Sequence, residues 1–151
     1  MVRAPDSVEM QLQTLRQLIR LGREAGLPLN LHCRQAHDMM MEFLRAEKAS
    51  ELGGMIHGFS GDATTLRDWL ELGFCVSVGR SVLNPENREP ADAVALIPAD
   101  RLLLETDSSP RSQAEASLAD MAEAVARLRG IDPGAAAAQA TANLRRLFRL
   151  A

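Results

Sequence analysis

The sequence predicts an α/β fold built from parallel βα units. Short apolar runs alternate with longer amphipathic ones, the pattern of strands joined by right-handed helical crossovers. The ends of the runs, at His32, His57, Val78 and Thr106, recur at roughly the 20–30 residue length of one βα unit. No low-complexity linker interrupts the series, and 151 residues ask for one core and one domain, residues 1–151.

Asp6 and Ser7 are good helix caps, Glu9 stands three residues after Asp6, and Leu12, Leu15, Leu18, Ile19 and Gly22 recur at helical spacing, so the first element is a helix that stops at Gly26. Leu27 to His32 reads as a short buried strand opening on a proline, where no ladder donor is lost. Ala36, Met39, Met40, Phe43 and Leu44 make the apolar stripe of a second helix ending near Gly53, with Glu42, Arg45, Glu47 and Lys48 mostly opposite. Gly54 to His57 is the next strand. Leu66, Trp69 and Leu70 mark one side of a helix over Asp62 to Leu72, closed by Gly73.

Phe74 to Val78 is the third strand. Asn84, Pro85 and Pro90 mark a loop leading into a helix whose first turn tolerates Pro90. Leu102 to Thr106 is the fourth strand. A helix from Ala114 to Arg129 presents Leu118, Met121, Ala122, Val125 and Leu128 and stops at Gly130. Asp132 followed by Pro133 reads as an N-cap and first helical residue, opening an Ala-rich helical region that ends in Leu144, Leu147, Phe148 and Leu150.

An apolar fraction of 46%, a charged fraction of 25% and a net charge of -3 describe a mildly acidic globule, which argues against tight, processive binding of nucleic acid through many neutralised phosphates. Aromatic residues are 3% of the chain and tyrosine is absent, so a base-stacking platform is not expected, and Trp69, Phe43 and the Met39 to Met41 cluster read as core. Cys33 and Cys75 are far apart and form no CxxC pair, which fits a reducing cytosol better than a disulfide framework. No apolar stretch has the length of a signal peptide or membrane span, so a cytoplasmic protein is expected.

His32, His57 and Asp107 each stand at or just past the C-terminal end of an apolar strand. Parallel strands bring those ends to one face, so the three converge on a common site. Neutral imidazole and carboxylate are the donors of a hydrolytic divalent metal centre. Taken singly, each has a plainer reading: a hydrogen-bonded histidine near the core, or an aspartate capping the next element. On spacing alone the two readings are evenly matched.

Around these residues the chain reads LPLNLHCRQA, GMIHGFSG, LGFCVSVG, IPADRLLLETDSSP and TANLRRLF. In that order the five segments resemble the signatures of the TatD family of metal-dependent deoxyribonucleases. The resemblance implies a TIM-type (β/α) barrel with a divalent metal (Mg, Mn or Zn) cleaving phosphodiester bonds of DNA through a metal-activated water. It places His32, His57 and Asp107 at metal positions and gives Asp107 the further task of orienting or deprotonating the water. Arg34 matches the family arginine and reads equally as a phosphate contact or a surface residue. Ser60 reads as a phosphate contact beside a helix N-terminus or, more simply, as that helix's cap. Glu105, on the same side of its strand as Asp107, is either a support behind a ligand or a barrel-interior residue. His37 reads as a solvated helix residue.

The family's HxH pair on its first strand and the glutamate of its fourth have no counterpart here, so the expectation is a partial barrel. About four parallel strands with covering helices stand for the C-terminal half to three-fifths of a family member, with the N-terminal βα units missing. The family cysteine after the second histidine is Gly58, and the loop after ETDSSP is shortened. A half barrel leaves one sheet face and two edges unpartnered, so a homodimer or a separate N-terminal half completing the barrel is expected. Three functions compete: a DNA-cleaving hydrolase, an inactive remnant or interaction subunit, and an amide or ester hydrolase on the same plan.

Overall fold

A computed structural model of the chain describes residues 5–84, 86, 88–108 and 116–150. Its elements are α1 (Pro5–Ala25), β1 (Leu29–His32), α2 (His37–Ala46), β2 (Gly54–His57), α3 (Ala63–Glu71), β3 (Cys75–Val78), α4 (Arg88–Ala95), β4 (Leu102–Leu104), α5 (Leu118–Arg129) and α6 (Pro133–Phe148), with short 3-10 turns at Ala49–Glu51, Arg80–Leu83 and Ala99–Arg101. The four strands form one parallel sheet in the order β1-β2-β3-β4, so the expected parallel α/β sheet is present.

Strand alternation gives the sheet two faces. Leu29, Leu31, Ile56, Val76, Val78 and Leu102 point to the helices and join Ile19, Leu44, Trp69, Phe74 and Val125 in the main core. Met55, Cys75 and Leu103 form a smaller cluster on the other face, with Leu147 and Phe148 of α6 packed against it. Leu147 and Phe148 therefore cover only the N-terminal end of that face.

Several elements are shorter than expected, each for a local reason. At Gly26 (φ 64) the backbone turns left-handed, and Leu27 N–H bonds back to Gly22 at 2.9 Å, so pairing begins at Leu29 and not at Leu27. Left-handed Lys48 (φ 51) breaks the second helix after Ala46, well before Gly53. β4 ends at Leu104, although Glu105 N–H still reaches Val78 O at 3.0 Å. α5 begins at Leu118 because Ser117 and Asp120 form a capping box; the expected start at Ala114 and the loop residue Pro85 lie outside the described residues. Asp132 and Pro133 open α6 as expected, with Asp132 accepting from Ala135 N–H at 3.0 Å.

The packed stripes are narrower than the sequence periodicity suggests. Met39, Leu18, Leu118, Leu128 and Leu144 are exposed, while Met41, Ile19, Met121 and Val125 carry the packing.

Asn143, fully buried, shows what one residue of the TANLRRLF segment does. Its Nδ2 donates to Ala99 O and Leu102 O, both at 2.8 Å, and its Oδ1 accepts from Arg146 at 3.1 Å, which clamps α6 to the entry of β4. Leucine there leaves two carbonyls unpaired, so Asn143→Leu is expected to destabilise the fold by about 2–4 kcal/mol in urea unfolding. A loss below about 0.5 kcal/mol, the level of an ordinary surface change, contradicts the clamp.

Candidate metal centre

The register places His32 directly opposite His57 on adjacent parallel strands. Counting in twos along each strand puts Asn30 and His32, Met55 and His57, Cys75 and Ser77, and Leu103 and Glu105 on the face away from the main core. In β2, β3 and β4 the polar member of the pair lies nearer the C-terminal end, so a polar rim sits above an apolar floor of Met55, Cys75 and Leu103; on β1 both Asn30 and His32 are polar.

Glu105 is central to the rim. Its side chain is only 12% exposed, and it reaches across β3 to β2. Oε2 lies 2.7 Å from His57 Nδ1 and accepts from Ser77 Oγ, and Oε1 accepts from Gly58 N–H at 2.7 Å. An ionised carboxylate only accepts, so the proton on this side of the His57 ring belongs to Nδ1. Space for the carboxylate comes from Gly79, where a Cβ would stand 3.3 Å from Oε1 and 3.4 Å from Cγ. Glu105 therefore contacts His57, Ser77 and Gly58 at once.

On the other edge of the ring, His57 Nε2 stands 3.3 Å from Asp107 Oδ1. With Nδ1 protonated, a neutral Nε2 and the carboxylate oxygen are both acceptors. A cation shared between them, proton or metal ion, is what makes that approach favourable. Two donors about 2.0–2.2 Å from one ion in a tetrahedral set lie about 3.3–3.6 Å apart, so this pair fits a metal as it stands. Asp107 holds a left-handed backbone (φ 50), a conformation aspartate tolerates better than most residues, and its side chain is 65% exposed.

The His32 and His57 rings are 5.7 Å apart between centroids and tilted by 49°. An imidazole centroid lies about 3 Å from an ion it binds, so two rings on one ion are about 5 Å apart. His32 stands beside the pair, somewhat farther from His57 than that spacing. Among the described residues no three His, Cys, Asp or Glu side chains are gathered tightly enough to cage an ion, so the donor set is open. Burial pushes the Cys33 and Cys75 thiols up, which removes both as ready thiolate donors.

Arg34 and Ser60 are not among these contacts. Both line a neighbouring open cavity of about 290 Å³ between the loops that leave β1 and β2. Arg34 is exposed and makes no hydrogen bond or ion pair among the described residues. Ser60 is not the cap of α3; Asp62 takes that position, its Oδ1 accepting from Thr65 N–H at 2.8 Å, and that bond holds the Asp62 carboxyl below its ordinary range.

His37 is the clearest correction at the site. It is only partly solvated: Nε2 lies 2.8 Å from Asp68 Oδ2, its ring sits 6.2 Å from Trp69, and its side chain is 24% exposed. The His37 bond, aided by Arg45, holds Asp68 below the usual carboxylate range and ties α2 to α3. Sequence patterning does not single out Ser77 or Gly79; the only available signal is that Ser77 falls on the same strand face as the histidines.

Residues 1–149 match the family described as TatD related DNase. A metal-dependent hydrolase of Escherichia coli K12, YcfH, whose activity is uncharacterised, is 33% identical over 97% of this chain and 58% of its own length. The 3'-5' ssDNA/RNA exonuclease TatD of Erwinia billingiae is 34% identical over 94% of this chain and 59% of its own length. Among solved structures, the TatD homologue YJJV of Escherichia coli superposes with a TM-score of 0.86 at 26% identity, covering 99% of this chain and 61% of that one. A TatD-family hydrolase of Entamoeba histolytica, at 18% identity and a TM-score of 0.79, shares the fold over 95% of this chain and 58% of its own. The chain spans about three-fifths of the length of the relatives it matches.

Proposed function

The chain belongs to the TatD-related DNase family, and on that footing we propose that it is a metal-dependent hydrolase of phosphodiester bonds in DNA. The observation that carries the proposal is His57 held between Glu105 and Asp107 at the C-terminal rim of a parallel sheet. His32, His57 and Asp107 hold a divalent ion, magnesium, manganese or zinc. Such an ion, when bound, supplies an acidified water and neutralises a phosphoryl oxygen.

The chain's own residues do the rest. Asp107, exposed at the rim, accepts a proton from the attacking water through its second oxygen and keeps it on the line of attack. Glu105 positions His57 from behind. Arg34, with its guanidinium unpaired among the described residues, and Ser60 receive the phosphate of a DNA or nucleotide substrate from the adjoining cavity. The protein works in the reducing cytosol, in keeping with two free cysteines, and no helix among the described residues is long and apolar enough to cross a membrane.

A short end-labelled single-stranded DNA, a plain aryl ester and an aryl amide, each with added magnesium, manganese or zinc and with a chelator, test the reading. Metal-dependent cleavage of the DNA alone is expected. Cleavage of the ester or amide alone moves the chemistry to another bond class on the same fold. A second reading, an inactive remnant or interaction subunit, is favoured by the open donor set and predicts no turnover of any of the three.

The sheet corresponds in this reading to part of a (β/α) barrel. β1 and β4 are the edges, and apolar grooves run beside both: about 460 Å³ along β1, walled by Leu15, Leu18, Leu31 and Met39, and about 340 Å³ along β4, walled by Leu103, Leu118 and Leu144. A second copy of the chain or a separate N-terminal half covers them. Light scattering of the purified chain separates a dimer from a monomer awaiting a partner.

A further inference from the structure

Ser77 is 1% exposed in a strand that is otherwise apolar, and no metal donor or substrate contact proposed above uses it. A buried hydroxyl needs a partner, and the partner it has is Glu105 Oε2, the oxygen that faces His57 Nδ1. The Ser77 backbone carbonyl also accepts from Phe59 N–H at 3.1 Å, in the loop that carries Gly58 and Ser60. Gly58 itself is left-handed (φ 63), with its N–H on Glu105 Oε1 at 2.7 Å. Ser77 therefore touches both things that hold His57 in place: the carboxylate behind the ring and the loop that leaves β2.

A glutamate side chain has three torsions, and without an anchor its carboxylate samples several positions. The Gly58 N–H secures one oxygen. The Ser77 hydroxyl holds the other, and the carboxylate lies with Oε2 toward His57 Nδ1. That placement selects the tautomer with the proton on Nδ1 and leaves the Nε2 lone pair directed at Asp107.

We propose that Ser77 is a positioning residue for the centre: acting through Glu105, it sets the tautomer and orientation of His57 and so the affinity for a divalent ion. The proposal rests on the reading of His57 as a metal ligand, and its test separates the two. The chain has three histidines, so their imidazole nitrogen resonances can be assigned one by one in the metal-free protein at a pH where the rings are neutral. Manganese and zinc affinities are then measured on the same samples.

The wild-type chain is expected to show His57 protonated at Nδ1. In Ser77→Ala the Nε2-protonated form of His57 appears, and metal affinity falls about 10–100-fold, the range for loss of a partner behind a ligating histidine. Ser77→Cys fills the same space with a weak donor and is expected to shift the tautomer in the same direction, which keeps the test open if the alanine variant does not fold. Ser77→Thr, which keeps the hydroxyl, restores the wild-type tautomer. An unchanged His57 tautomer in both Ser77→Ala and Ser77→Cys overturns the proposal. A tautomer that responds while the wild-type chain binds neither metal leaves Ser77 as the residue that positions His57 and removes the metal reading instead.

Discussion

Replacement of His57 by alanine is expected to weaken divalent-metal binding by about 100-fold or more. Structural zinc sites release roughly 10–16 kcal/mol through four ligands, or about 3 kcal/mol for each, which corresponds to about two decades in affinity. His57 is the donor placed between Glu105 and Asp107, so its loss also leaves Glu105 Oε2 with one partner fewer. Folding is expected to change little, because the ring lies at a partly exposed rim and not in either apolar cluster. Calorimetric titration beside a melting curve checks both statements. A variant that keeps its metal affinity, or loses it only by unfolding, speaks against the assignment.

Trp69→Ala is the largest stability effect expected. Trp69 is 1% exposed, meets the Phe74 ring edge-on at 5.6 Å and lies beside His37. Truncating a buried tryptophan costs about 3–5 kcal/mol, a large part of the roughly 5–15 kcal/mol that stabilises a domain. At about 2–4 °C per kcal/mol for a chain of this size, the melting temperature falls by roughly 6–20 °C. The same variant tests a functional point. If Trp69 is core and not a stacking surface, affinity for single-stranded DNA, measured well below the melting temperature, is unchanged; a selective loss of DNA binding with little loss of stability makes it a base contact.

The sequence made the rim legible because a polar residue ending an apolar run is visible without coordinates. His32 and His57 end β1 and β2, and alternation alone put Glu105 on the side of Asp107. Which strands are neighbours was also readable, since consecutive βα units pair in order. What escaped were features set by long-range contact. Ser77 sits in an apolar string where a serine carries no signal until Glu105 arrives from 28 residues away. His37 looks like a surface residue until Asp68 comes across from the next helix.

Backbone turns were hidden in a different way. Lys48 and Asp107 are left-handed without being glycine, so nothing in their type announces that the second helix breaks or that the rim carboxylate turns outward. Leu27 and Pro28 read as strand because they are apolar and extended, but a strand requires partners, and the ladder starts only where Leu29 N–H finds Gly53 O at 3.1 Å. Fold class was written in periodicity; the second layer of the site, Ser77 and Gly79 around Glu105, was written only in the packing.

The central claim is that this chain holds a divalent ion on His32, His57 and Asp107. Metal content and affinity of the purified protein, measured beside a His32→Ala, His57→Ala, Asp107→Ala triple variant, test it most directly. Near-stoichiometric binding by the wild-type chain that disappears in a folded triple variant is the predicted result; absence of binding in the wild-type chain, or equal binding by both proteins, contradicts it.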